Sequence, residues 1–171
     1  MGVQRLPVVT GPPKALEPGS YLTPPGLGRV VSVTVPEGWF GGAAAGGFSV
    51  GQGLDEANER FADAGLYVDV IPTPYGEAVT AFEELGGISH GSDPTIGTVD
   101  GHGSTTFRAH ADGAPVVLDP IAPGLDLTSE AGEQIFIDVA GVTILVRTEV
   151  FNEDAQAALD TVVASIRFPE D

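Results

Sequence analysis

Polar and apolar residues alternate from Val31 to Val35, with Ser32 and Thr34 set against Val31, Val33 and Val35. That period of two predicts a half-buried strand. Pro36-Glu37-Gly38 ends it, and Trp39-Phe40 follow as expected core anchors. Gly41 to Gly47 reads as a flexible connection, and Phe48 to Val50 as a short second strand. Leu54, Phe61 and Ala64 fall on one helical stripe closed by Gly65, which predicts a first helix over 54–64. Leu66 to Ile71 alternates up to Pro72, a strand. Tyr75, Val79, Phe82 and Leu85 repeat at helical spacing ahead of Gly86-Gly87, a second helix.

The remainder is richer in strand signals. Thr95–Val99, Ser104–Ala111 and Val116–Leu118 read as strands, with a turn at Asp112-Gly113 and a loop over Asp119–Gly132. Gln134–Ala140 and Val142–Thr148 read as a hairpin about Ala140-Gly141, with Ile135, Ile137 and Val139 on one face. Asn152 is an N-cap candidate, with Glu153 and Asp154 placed favourably against the helix dipole. Ala155, Ala158, Leu159, Val162, Val163 and Ile166 then give a third helix a wide apolar stripe. The expected fold is α+β: an antiparallel sheet of about seven or eight strands packed with three helices.

Composition adds boundaries. Pro7, Pro12, Pro13, Pro18, Pro24 and Pro25 crowd the start, so residues 1–18 read as a Pro/Gly-rich N-terminal arm or linker and 19–171 as a single α+β domain. No apolar run near the start has the length of a signal peptide or membrane span, so any membrane link would go through an anchor absent from this chain. The 171 residues carry 24 Asp and Glu against 7 Lys and Arg, a formal net charge of −17. Phosphate backbones and anionic lipid surfaces need a basic footprint, so nucleic acid is excluded as a partner and cationic partners are favoured. With no cysteine, disulfides, thiol nucleophiles and Cys-type metal sites are ruled out.

Catalytic signatures are thin. His102 and His110 share strand parity with Asp100, Ser104, Thr106, Arg108 and Asp112, but eight residues of strand separate the two imidazoles by about 26 Å. A metal held by His90, Asp100 and His102 is the alternative that would support a metal-assisted hydrolase. The acids near Asp112, Asp119 and Asp126 follow no EF-hand spacing. No Gly-x-Ser-x-Gly elbow and no dinucleotide fingerprint occur, and no cofactor is called for. Binding by shape remains, with Trp39, Phe40, Tyr67 and Phe82 as the expected contacts for a small apolar molecule or a protein partner. A third reading is an assembly module that uses an uncharged sheet edge at Val142 to Ile144.

Four segments carry a resemblance. They are Leu16-Glu17-Pro18-Gly19-Ser20-Tyr21, the strand running into Val35-Pro36-Glu37-Gly38-Trp39, the element Val99-Asp100-Gly101-His102-Gly103, and the close Ser165-Ile166-Arg167-Phe168. In these the chain resembles a family of actinobacterial extracytoplasmic domains, commonly lipoproteins or the outer portions of membrane-anchored proteins. The order of elements also resembles the PsbP-like α/β/α sandwich. Members of that wider group mostly bind proteins, small ligands or ions. The resemblance implies an extracytoplasmic, secreted or membrane-tethered, non-catalytic binding or sensing domain. It brings no catalytic residues, and it gives Trp39, Gly38, Gly101, Ile166 and Phe168 structural roles. The chain departs from the pattern in its glycine-alanine run over 41–60 and in lacking cysteine.

Overall fold

A computed structural model describes residues 4–24, 29–44 and 46–170. Expectations that fall on 1–3, 25–28, 45 and 171, including Pro25 and the centre of the Gly41–Gly47 run, lie outside the described residues. The strands, in chain order, are β1 (Gln4–Arg5), β2 (Lys14–Ala15), β3 (Gly19–Leu22), β4 (Ser32–Val35), β5 (Trp39–Ala44), β6 (Gly47–Asp55) and β7 (Arg60–Ile71). Helix α1 (Tyr75–Glu83) precedes β8 (Ile88–His90), β9 (Thr95–Val99), β10 (His102–Phe107), β11 (Ala109–Ala111), β12 (Val116–Val117) and β13 (Asp126–Leu127). Then come β14 (Ala131–Val139), β15 (Val142–Val150), a 3-10 turn at Glu153–Ala155 and helix α2 (Gln156–Ala164). The pairing is mostly antiparallel, and the large sheet has eight strands in the order β2-β5-β6-β7-β15-β14-β10-β9. The chain forms two compact units, Met1–Val68 with Val150–Asp171, and Asp69–Glu149.

The first unit absorbs much of the expected arm. β1 pairs with β3, β2 pairs with β5, and Leu6 is buried, so residues 4–18 are built into this unit and not set apart from it. The predicted first strand is present: Val33 and Val35 are buried while Thr34 faces water. α2 is held beside β4 by Ser165 Oγ, which accepts from Thr34 N at 2.9 Å. The predicted cap Asn152 closes the 3-10 turn that leads into α2, accepting from Asp154 N at 3.1 Å.

Two further expectations fail in this unit. The glycine-rich run is not a loop: Gly41 to Ala44 lie in β5 and Gly47 opens its partner β6. Gly42 in β5 and Gly51 in β6 are required by close approach, since a Cβ on Gly42 would strike Val9 and one on Gly51 would strike the Phe61 ring. The helix expected over 54–64 is also absent, and among the described residues two α-helices stand where three are predicted. In its place Asp55 closes a turn by accepting from Asn58 Nδ2 at 2.7 Å, and Glu59 takes a left-handed φ of 52°. Leu54, Phe61 and Ala64 fit a helical stripe and a strand pair equally well. The Asp-Glu-Ala-Asn-Glu run between them folds as a turn, because Asp and Asn side chains bond locally to backbone.

The second unit is built on α1 and the β14–β15 hairpin. Its core gathers Ile71, Ala78, Phe82, Phe107, Leu118, Ile121, Leu127, Phe136 and Leu145. Phe82, Phe107 and Phe136 pack as a ring cluster with centroids 4.7, 5.5 and 5.8 Å apart. Gln134 is fully buried, yet both ends of its amide are hydrogen-bonded. Its amide donates to Ala109 O at 2.9 Å and accepts from Ala109 N at 3.1 Å, standing in for a strand partner between β14 and β11. The loop expected over 119–132 contains β13, which pairs with β12 and buries Leu127.

Two hairpins share one turn. Asp100-Gly101 (φ 49° and 79°) closes β9–β10, and Ala140-Gly141 (φ 52° and 83°) closes β14–β15. Two successive positive φ values make these type I′ turns, whose twist matches that of the strands they join.

Candidate functional site

The four aromatics expected to hold a ligand do not form one site. Trp39 and Phe40 are consecutive on β5, so their side chains leave opposite faces of the sheet. Trp39 is 1% exposed and Phe40 half-buried. Tyr67 packs its ring against Phe61 at 6.0 Å. All three belong to the first unit. Phe82 belongs to the second, at the centre of the phenylalanine cluster with 0% exposure. Trp39 and Phe82 are core residues and leave no surface to a ligand.

The polar candidates also disperse. His90 on β8 is registered against Ala109 and lies at the edge of the Phe82 ring, centroids 6.2 Å apart. Asp100 occupies the β9–β10 turn, and His102 opens β10 at the far end from Ala109. Among the described residues no three His, Asp or Glu side chains come together as a metal site. His102 and His110 do not share an unbroken strand, because β10 stops at Phe107 and β11 starts at Ala109. Ser104, which shares the strand parity of His102, is buried between Gly97 and Ile137, its cross-strand neighbours.

Ser89, His110 and Asp112 form a cluster that the sequence did not reveal. Ser89 and His110 are opposite one another on β8 and β11, and Ser89 Oγ donates to the Asp112 carboxylate. A hydrolytic serine gives its proton to a base that an acid orients. Here the serine is bonded to the acid directly, so its proton is held by Asp112 and not by an imidazole.

The partly buried ion pair of this unit has a structural explanation. Asp69 meets Arg147 at 3.2 Å, and Arg147 also donates to Asp126 O at 2.8 Å. Burial pushes the Asp69 carboxyl above the usual carboxylate range, and the guanidinium pulls it back only in part. The pair ties β7, β15 and β13 within the second unit.

The feature left over is β9. It ends the strand order of the large sheet, and Ile96 on it is 85% exposed. The expected assembly edge at Val142 to Ile144 is not an edge: β15 lies inside that order, between β7 and β14. Cross-strand register places Ile96 beside Thr105, Thr105 beside Phe136, and Phe136 beside Leu145. Thr105, Phe136 and Leu145 are buried, and Tyr75 of α1 bonds Thr105 through its hydroxyl at 2.5 Å. The row is therefore core from Leu145 to Thr105 and ends at Ile96 in water. Sheet order is a non-local property, and no local pattern in Thr95–Val99 distinguishes an edge strand from a central one.

No family model matches the chain, and no curated protein matches it. Among solved structures it is similar to the solution structure of the cyanobacterial PsbP protein CyanoP from Synechocystis sp. PCC 6803. That likeness has a TM-score of 0.42 and 16% identity, over 81% of this chain and 86% of that chain. No residue role is carried over from it. No helix among the described residues is long and apolar enough to cross a membrane.

Proposed function

We propose that the chain is a non-catalytic binding module that recognises another protein, and that it works outside the cytoplasmic membrane. One observation carries the reading: Trp39 and Phe82 are spent on the core, while a buried row of the sheet ends in water at Ile96 on an edge strand. Exposed apolar surface at an unpaired edge is a recurring means of protein recognition. The extracytoplasmic placement is supported by the resemblance of the entry, strand-end and closing motifs to extracytoplasmic domains. The acidic surface fits a partner of opposite charge.

Site-specific photo-crosslinking tests this reading. A photoreactive residue is placed in turn at each of the exposed apolar positions Val8, Ile96 and Val117, in the protein expressed in its native host. A discrete, reproducible protein adduct at one of these positions is the expected result. Absence of adducts at all three would overturn the reading.

A further inference from the structure

The free edge of β9 has a defined hydrogen-bonding pattern. Val99 and His102 flank the two-residue turn at Asp100-Gly101, and such a pair exchanges both ladder hydrogen bonds. Alternation then commits Gly97 and Thr95 to β10, opposite Ser104 and Thr106. The backbone N–H and C=O groups of Ile96 and Thr98 point the other way, off the sheet. Pro94 stops the pattern at its start. The edge thus offers two outward donor–acceptor sites, about 7 Å apart, the spacing of alternate residues in a strand.

Natural edges are usually blunted by a lysine, a proline within the strand, a bulge or a covering loop. Thr95-Ile96-Gly97-Thr98-Val99 has no charge and no internal proline, and its register against β10 is continuous. All of it except Val99 is exposed. Acids stand at its two ends, Asp93 before and Asp100 after, both exposed. The unit around it, 69–149, holds thirteen Asp and Glu against two Arg, and one of those, Arg147, is taken by Asp69.

That charge decides which strand fits. An antiparallel pairing with a second copy would set Asp93 of each chain near Asp100 of the other, between two molecules of net charge −17. Like charges at strand ends oppose that pairing. A partner segment with an apolar or β-branched centre and lysine or arginine at its ends meets the same edge with attraction. Building on the protein-recognition reading above, we infer that β9 receives an extended, basic-ended segment of a partner protein as a ninth strand of the large sheet. Ile96 and Thr98 supply the main-chain bonds. An apolar side chain of the partner lies beside Ile96 and continues the row that ends there.

The probe is a synthetic ten-residue peptide with two lysines at each end and alternating valine and threonine between. Its binding is followed by fluorescence anisotropy at low and high salt, against a control peptide with glutamates for lysines. Two variants of the protein complete the test. Thr98→Pro removes an outward N–H without touching a bond to β10, so the fold is kept, as thermal unfolding will verify. Ile96→Lys replaces the apolar contact by a like charge. The lysine-ended peptide is expected to bind saturably, at least tenfold more tightly than its glutamate control, and several-fold more weakly at high salt. Thr98→Pro is expected to abolish binding, and Ile96→Lys to weaken it at least fivefold. Equal binding of both peptides, or binding unchanged by Thr98→Pro, would overturn the assignment, as would a concentration-dependent dimer lost in Thr98→Pro. Crosslinked adducts at Val8 or Val117 but none at Ile96 would also overturn it, yet leave the protein-recognition reading standing.

Discussion

Two hairpins in this protein are closed by the same kind of turn and end in opposite circumstances. The β14–β15 hairpin turns at Ala140-Gly141 and buries Ile135, Phe136, Ile137 and Val139 on one arm and Thr143, Ile144, Leu145 and Val146 on the other. The β9–β10 hairpin turns at Asp100-Gly101, and four of the five β9 residues are exposed. The backbone solution is shared, so burial is decided by position in the strand order. β14 and β15 lie inside the sheet and β9 lies at its end. Turn chemistry specifies that two strands will pair. It leaves open what covers their other edges.

The widest separation between the two hairpins lies along one row of the sheet, from Phe136 to Ile96. Phe136→Ala removes a ring packed against Phe82 and Phe107, and the loss should be about 3–5 kcal/mol, read as a lower urea midpoint. Next in size is Gln134→Leu. It strands the buried Ala109 N–H and C=O, with a cost of about 1–3 kcal/mol in the same measurement. A midpoint unchanged in either variant would mean that the β14 hairpin does not hold the second unit together.

The turns themselves give a smaller and more discriminating test. Gly141→Ala and Gly101→Ala each force an alanine to a φ near 80°, at a local cost of about 1–2 kcal/mol. In β14–β15 that cost should appear in global stability. In β9–β10 it should appear mainly as faster amide exchange along β9, because an edge hairpin can open without unfolding its neighbours. Equal global losses would show that β9 unfolds only with the rest. Smallest of all is Ile96→Thr, expected within about 0.5 kcal/mol of the parent in urea unfolding, since the side chain buries so little.

The parts of this fold that were legible in the sequence are those whose information is local. Val31 to Val35 alternates and is a strand from Ser32, Tyr75 to Leu85 has helical period and is a helix to Glu83, and Asn152 caps the 3-10 turn that leads into the last helix. Ala140-Gly141 stands between two apolar runs and is their turn. The failures share a different cause. The glycines of β5 and β6 look like loop residues until Val9 and Phe61 are seen to occupy the space of their missing side chains, and Val9 is more than thirty residues from Gly42. Leu54 to Ala64 satisfies a helical stripe, but Asp55 and Asn58 spend their side chains on a turn. Residues 4–18 look like a linker by composition and yet pair with β3 and β5.

The candidate site was less legible than the fold. Trp39 and Phe82 read as ligand contacts because they are large and apolar, and the same property buries them in the core. Val142 to Ile144 reads as an uncharged edge, whereas Thr95 to Val99, equally uncharged, lies at the end of the order. Both strands read alike locally. What distinguishes them is which neighbour the chain delivers on each side, and neither strand's own residues record that.

Residue-resolved amide hydrogen exchange on β9, with and without the lysine-ended peptide, tests the central claim most directly. In the free protein the amides of Ile96 and Thr98 should exchange quickly while those of Gly97 and Val99, bonded to β10, exchange slowly. Saturation with the peptide should protect Ile96 and Thr98 and leave the other two nearly unchanged. If Ile96 and Thr98 are already protected in the free protein, or stay unprotected when the peptide is bound, then β9 is not the edge through which this protein takes its partner.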